Sequence, residues 1–495
     1  MERAANLRLF ELTEEGREAH EGKNVEITGL TSDSRDVRPG FLFAALDGSR
    51  ARGADFIPEA LKNGAAAILA PPGTGLGDTA PGTATLISDA NPRRRFAEMA
   101  ARFFERQPHS IAAVTGTNGK SSTVTFIREL WRGGGAKAAS LGTLGVEGDG
   151  PALDASLTTP DPVLLHRTLA RLAEDGVTRC ALEASSHGLD QYRLDGVRVS
   201  AAAFLNLTRD HLDYHGDLET YLAAKARLFG DIMAPGGHAV LNAESPYYQN
   251  LADICRARNH RILSFGGGEA DIRLISRRDE NFGQRIELEL LGNAYKLFIP
   301  LPGAFQIQNM MAAAGLAIAT GMAEDAVAAG LARLAGVRGR LELVSRLDNG
   351  APVYVDYAHT PDALEAALTA LRPNIAGRLI LLFGCGGDRD TGKRPQMGEI
   401  ASRLADMVFV SDDNPRYEDP ASIRREIVAA CPDAIEISGR GEAIAAAVAE
   451  LRQDDLLLIA GKGHEQGQSI AERMIPFDDG EMARRAVMAH ARSRS

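Results

Sequence analysis

The segment AVTGTNGKSSTV, Ala113 to Val124, holds the residue types that grip a polyphosphate. The β-branched, apolar run IAAV reads as a strand, TGTNG as a turn and KSSTVTFIRELW as an amphipathic helix. Such a junction points free backbone N–H groups at an anion, and the helix dipole favours the negative charge. Lys120 would reach the outer phosphates and the Ser121 hydroxyl would ligate Mg²⁺, with Gly116, Thr117, Asn118, Gly119 and Ser122 completing the loop. The usual phosphate loop carries a glycine five residues ahead of its second glycine. Here that position is Val114, and Gly116 lies inside the loop instead. By spacing alone, a structural strand–turn–helix with an exposed lysine stays open as the alternative.

A second group of reactive side chains lies in CALEASSHGLDQYRL, where the strand CALEA carries Glu183 at its end. A carboxylate at the carboxyl end of a strand faces the crevice where ligands bind. Beside Ser121 it is a candidate metal ligand, and a solvated strand-end glutamate is the alternative. Further on, NLTRDHLDYHG crowds Asp210, His211, Asp213 and His215 ahead of a helix carrying Lys225. The pattern fits a metal cluster and, equally, a helix cap with satisfied histidines. No HExxH spacing forces zinc.

In the last third, LLFGCGGDRDTGKRP, VFVSDDNPRYEDP and LLLIAGKGHEQ are apolar strands that each run into a polar turn. In a parallel sheet all three turns open on one edge, where they would surround one small ligand; ordinary turn composition, rich in Gly, Asp and Asn, is the alternative. Arg389, Asn414, Arg416 and Glu465 give that edge mixed charge, which suits a molecule bearing both carboxylate and ammonium groups.

These residues need a scaffold. A chain of 495 residues exceeds one ordinary core, so several domains are expected. Short strands alternate with helical patterns up to RFFERQPHS, where Pro108 suits a linker. The segment IRLISRRDENFGQRIELELLGNAYKLFIPL alternates like antiparallel strands joined at Asn281–Gly283 and Gly292–Asn293. An alanine-rich helical stretch, Met310 to Leu334, follows. APVYVDY then opens a fresh strand–helix series, the signature of a doubly wound parallel sheet. The reading is α/β with three domains, 1–107, 108–337 and 338–495. The formal charge of −11 and pI near 5.6 argue against a large nucleic acid partner. The opening residues are not expected to be a secretory signal, and no apolar run reaches membrane length. Cys180, Cys255, Cys385 and Cys431 form no CxxC pair, so a reducing cytoplasm fits best.

The TGTNGKSS loop, EASSHGL, NLTRDHLDYHG and YLAAKARLF together resemble successive motifs of the Mur ligase family, which makes amide bonds with ATP. The resemblance implies an N-terminal uridine-nucleotide-binding domain and a central P-loop ATPase-like parallel sheet with a small antiparallel sheet. It implies a Rossmann-like C-terminal domain that binds the amino acid. Lys120, Glu183, His211 and Lys225 would be catalytic, with Ser121, Glu183, His211 and a CO₂-derived carbamate on Lys225 holding two Mg²⁺ ions. Asn309, Arg340 and Asp356 would complete the ATP site with the loop, with His359 nearby and without an assigned proton role. The family usually has Asn where this chain has Gln306. Ser32, Ser34, Ser49, Arg50, Ala51, Thr158, Thr159, Ser185, Gln191 and Arg193 would bind UDP-MurNAc-L-Ala-D-Glu. The DNPR tetrapeptide, Asp413, Asn414, Pro415 and Arg416, resembles members that add meso-diaminopimelate, and Arg389, Gly461 and Glu465 would join it. Such a protein is expected to be a cytoplasmic monomer with small-molecule partners. A folylpolyglutamate synthase or another Mur ligase, and a nucleotide-dependent switch or binding module without ligase chemistry, are the competing readings.

Overall fold

A computed structural model describes residues 7–13, 24–48, 51–76, 84–151, 157–280 and 282–494. Three principal sheets follow one another along the chain. The first has four parallel strands, Gly29–Thr31, Phe41–Ala44, Ala67–Ala70 and Thr85–Ser88, in sequence order. The expected site residues Ser49 and Arg50 lie outside the described residues.

The second sheet has ten strands. Its parallel centre is Arg261–Gly266, His238–Asn242, Val199–Phe204, Ser110–Thr115, Arg179–Glu183 and Ala138–Gly142. The antiparallel strands expected near residue 280 are Ile272–Glu280, Gly283–Leu290 and Asn293–Ile299. They continue this same sheet, joined to it through Phe265↔Ile272 and Gly266↔Arg273. The second of their turns falls one residue earlier than the sequence suggested, at Leu291 and Gly292, both with positive φ. A two-residue hairpin of the twist-matching kind needs positive φ at both central positions, and glycine adopts it freely.

Helix Lys120–Gly133 packs Val124, Phe126, Ile127, Leu130 and Trp131 into a core shared with helix Ala304–Ala319. The indole N–H of Trp131 donates to Thr320 Oγ1 at 2.9 Å, so its one polar atom is satisfied. Helices Pro92–Phe104, Pro162–Glu174, Pro361–Leu371 and Pro420–Ala429 each begin with a polar cap that accepts a backbone N–H, followed by proline. Proline fits there because its missing N–H would be unpaired in any case.

The third sheet has six strands. Glu342–Arg346 is antiparallel at one edge; Pro352–Asp356, Leu456–Ala460, Leu379–Phe383, Met407–Val410 and Ile435–Glu436 are parallel. The three polar turns therefore open on one edge, as the sequence implied. Among the described residues no helix is long and apolar enough to cross a membrane.

Candidate active site

The phosphate loop leaves strand Ser110–Thr115 and enters helix Lys120–Gly133 without a side-chain cap. Gly119 is the cap residue at φ 90°, and a Cβ there would fall 2.1 Å from Asn309 Oδ1. Only glycine serves, for both reasons. Asn206, which the sequence reading passed over, braces the loop. Its Oδ1 accepts from Asn118 N at 2.9 Å, its Nδ2 donates to Asn118 O at 3.1 Å, and its own carbonyl accepts from Thr117 N. Asn309 Nδ2 donates weakly to Gln306 Oε1 at 3.4 Å, and both side chains are buried.

Lys120 donates to the carbonyls of Gly116 and Thr117, each at 2.9 Å. Lys225 donates to the same Gly116 carbonyl at 2.9 Å and lies 4.4 Å over the Tyr221 ring. Neither lysine has an ion-pair partner among the described residues. Lys225 is 1% exposed, and burial, followed by the charge of Lys120, pushes its amine far below the ordinary lysine value. Burial also lowers Lys120, against the pull of Glu183 and Asp210. Burial and the neighbouring Lys120 charge both disfavour the ammonium form of Lys225, and Asp210 opposes them.

Glu183 is 2% exposed and accepts from Thr143 N at 2.8 Å and Thr143 Oγ1 at 3.1 Å, one on each oxygen. Each oxygen keeps a lone pair for a cation. Gly142 makes room, since a Cβ there would fall 2.2 Å from Glu183 Oε1. His211 heads a short helix at φ 54°, with Nε2 3.6 Å from Asp210 Oδ2. Burial holds its imidazole below the ordinary histidine value, the neutral form that ligates metals. Its ring abuts His187 at 4.8 Å between centroids. The donor set of Ser121, Glu183, His211 and a modified Lys225 thus fits Mg²⁺ chemically. No cluster of three or more His, Cys, Asp and Glu side chains suited to a metal occurs among the described residues.

The expected substrate residues of the second sheet form one network. Thr159 Oγ1 accepts from Ser185 N and from Ser185 Oγ, both at 3.0 Å. Arg193 donates to Thr159 O at 2.7 Å and to Gln191 Oε1 at 2.6 Å, while Thr158 meets Thr143 at 3.0 Å. The first sheet contributes less. Ser34 is buried with its hydroxyl committed to Glu59, and Ser32 and Ala51 are exposed.

Arg340 crosses between the second and third sheets, donating to Ser121 Oγ at 3.2 Å while stacking 4.4 Å over Tyr357. Asp356 accepts from Leu341 N at 2.6 Å and Ala358 N at 2.8 Å, and burial raises its carboxyl to about 6. His359 is fixed through Nδ1 to Tyr357 O at 2.9 Å.

On the third sheet's edge, Arg416 sits at φ 52° and donates to Gly387 O at 2.6 Å. Its backbone is clamped by Arg416 N to Ser469 O and Ala471 N to Arg416 O. Asn414 donates to Glu465 Oε2 at 2.8 Å. Gly461 is obligatory, at φ 114° with Asp413 Oδ2 2.4 Å from where a Cβ would lie. Arg389 stands exposed on the neighbouring turn and is not drawn into this cluster. Lys462, fully buried between Asn414 and Glu465, was missed by the sequence reading.

An uncapped phosphate loop whose Gly116 carbonyl takes two lysines, tied by Arg340 to Tyr357 of the third-sheet region, fits an ATP-using enzyme. The comparisons agree with that class. Family models described as Mur ligase family, catalytic domain; Mur ligase middle domain; and Mur ligase, glutamate ligase domain match residues 26–104, 114–317 and 339–463. The chain belongs to the Mur ligase family of ATP-dependent, amide-bond-forming ligases. It is 50% identical over 469 residues to a UDP-N-acetylmuramoyl-L-alanyl-D-glutamate--2,6-diaminopimelate ligase of Bradyrhizobium diazoefficiens, covering 94% of this chain and 95% of that one. A solved structure bearing the same enzyme name matches at 33% identity with a TM-score of 0.72, over 98% of this chain and 99% of the other. A MurF ligase from Thermotoga maritima in complex with ADP shares the fold, at 19% identity and a TM-score of 0.63, over 94% and 98%.

Proposed function

We propose that this chain joins meso-diaminopimelate to the D-Glu side-chain carboxylate of UDP-MurNAc-L-Ala-D-Glu, giving the UDP-MurNAc-tripeptide, ADP and phosphate. The work would be divided among three domains, 1–107, 108–337 and 338–495, in a cytoplasmic monomer. A carboxylate is a poor electrophile because oxide would have to leave. Its oxygen attacks the γ-phosphorus of ATP and ADP departs, leaving an acyl phosphate. The unprotonated amine of diaminopimelate then attacks the acyl carbon, and phosphate leaves from the tetrahedral intermediate. Lys120 draws the γ-phosphate into the loop and neutralises charge on the transferred group. Mg²⁺, held by Ser121, Glu183, His211 and carbamylated Lys225, would supply further charge neutralisation when bound. Thr159, Ser185, Gln191 and Arg193 orient the muramoyl-peptide; Asn309 and Asp356 border the nucleotide. Arg416 clamps the carboxylate that distinguishes diaminopimelate from lysine, and Glu465 takes an ammonium.

The observation that carries this reading is the Arg340–Ser121 hydrogen bond. It sets the phosphate loop against the domain whose edge bears Arg416, the juxtaposition a two-step transfer requires. The test is phosphate release from ATP with the UDP-MurNAc-dipeptide, offering meso-diaminopimelate or lysine. Release and tripeptide formation should depend on diaminopimelate. Release indifferent to the amino acid would leave a plain ATPase, and preference for lysine would overturn the Arg416 assignment.

A further inference from the structure

Lys462 is 0% exposed, and the side chains it hydrogen-bonds or pairs with, Asn414, Glu465 and Asp413, all belong to the proposed amino-acid site. Its Nζ donates to Asn414 Oδ1 at 3.0 Å and to Glu465 Oε2 at 3.0 Å, and lies 4.0 Å from Asp413 Oδ1. Asn414 Oδ1 also accepts from Ser469 N at 2.9 Å. Two donors converging on one amide oxygen fix which way the Asn414 amide points, because a flipped amide would set its N–H₂ against both. The Asn414 N–H₂ is thereby aimed at Glu465 Oε2, at 2.8 Å. Glu465 Oε2 is then occupied by Asn414 and Lys462, while Oε1 has no hydrogen-bond partner among the described residues.

We infer that Lys462 is a positioning residue for the amino-acid substrate: it locks the Asn414 amide and the Glu465 carboxylate so that Glu465 Oε1 faces the incoming ammonium. The inference rests on the reading of this edge as the diaminopimelate site. Lys462 need not touch the substrate; it acts through Asn414 and Glu465. A lysine that only stabilised the domain would disturb ATP as well, because the domain also supplies Arg340 and Asp356 to the nucleotide side. A positioning lysine affects the amino acid alone.

The test is Lys462→Met, which keeps most of the stem's volume and removes the charged donor. KM values for meso-diaminopimelate, ATP and UDP-MurNAc-L-Ala-D-Glu are measured beside kcat. The KM for diaminopimelate should rise by about tenfold or more, the scale of one lost charge-assisted hydrogen bond. The other two KM values and kcat should stay close to those of the unaltered enzyme. If Lys462→Met is not recovered folded, Lys462→Gln, which retains a neutral donor, carries the same readout. An unchanged KM for diaminopimelate, or an equal rise in the KM for ATP, would overturn the role. The unaltered protein is the control for the underlying reading. If it makes no tripeptide with diaminopimelate, the functional reading fails; if it does and the variant's KM is unmoved, only the role of Lys462 fails.

Discussion

Replacing Gly119 by alanine strikes the phosphate loop at its tightest point. At φ 90° and ψ −8° the residue is left-handed, which costs an alanine about 1–2 kcal/mol. The new Cβ would also fall 2.1 Å from Asn309 Oδ1 and 3.1 Å from Leu205 Cδ1. Asn309 is buried on a packed helix against Gln306, so it yields only by leaving its rotamer, at about 0.5–1.5 kcal/mol. Together these reach about 2–3 kcal/mol, and on the proposed reading, in which the loop and Asn309 border the nucleotide, a loop forced out of its ATP-binding shape loses affinity by up to that amount. At about 1.4 kcal/mol per decade, Gly119→Ala should weaken ATP binding roughly 30- to 100-fold, measured by calorimetric titration of a non-hydrolysable ATP analogue. Gly135, just beyond the other end of the same helix, is the control. It has φ 84°, and a Cβ there meets nothing within 4 Å. Gly135→Ala should lower thermal stability modestly and leave ATP binding untouched. Equal ATP affinities for the two variants would refute the reasoning.

Other perturbations separate the remaining parts of the account. Arg416→Met should raise the KM for meso-diaminopimelate by about 10- to 100-fold, the worth of a hydrogen bond to a charged group, with the KM for ATP unchanged in steady-state assays. Lys225→Met should abolish tripeptide formation while preserving the fold by circular dichroism, and the intact mass of the unaltered protein in bicarbonate should show labile CO₂ on Lys225 that the variant lacks. His166 is buried, its Nε2 3.2 Å from Asp195 O, and burial lowers its imidazole from 6.5 to about 4. The unfolded chain takes up this proton more readily than the folded one, so stability falls as pH drops from 6.5 towards 4, by about 3 kcal/mol in all. His166→Gln should flatten that part of a urea-denaturation series against pH; an unchanged slope would count against the assignment.

What the sequence disclosed and what it withheld divide along a physical line. The strand–turn–helix around Lys120, the strand-end Glu183 and the three turns on one parallel edge are local patterns. Local hydrophobic periodicity and turn chemistry suffice to place them. Lys462 escaped because its sequence setting, AGKGHE, is that of a polar turn; its hydrogen bond to Asn414 reaches across 48 residues and leaves no local trace. Asn206 escaped for the same reason, since it braces a loop some 90 residues earlier through hydrogen bonds that leave no periodic trace. The continuity of the ten-stranded sheet rests on two residue pairs, too few to register as a pattern. Arg389 is the converse case: its charge suits the site in sequence, and in the structure its side chain is exposed.

The most direct measurement of the central claim follows oxygen. With ¹⁸O in the D-Glu side-chain carboxylate of the dipeptide substrate, activation by phosphoryl transfer carries one labelled oxygen into the phosphate released as the amide forms. Labelled inorganic phosphate in step with tripeptide is the expected result. Unlabelled phosphate accompanying full tripeptide formation would contradict the acyl-phosphate route.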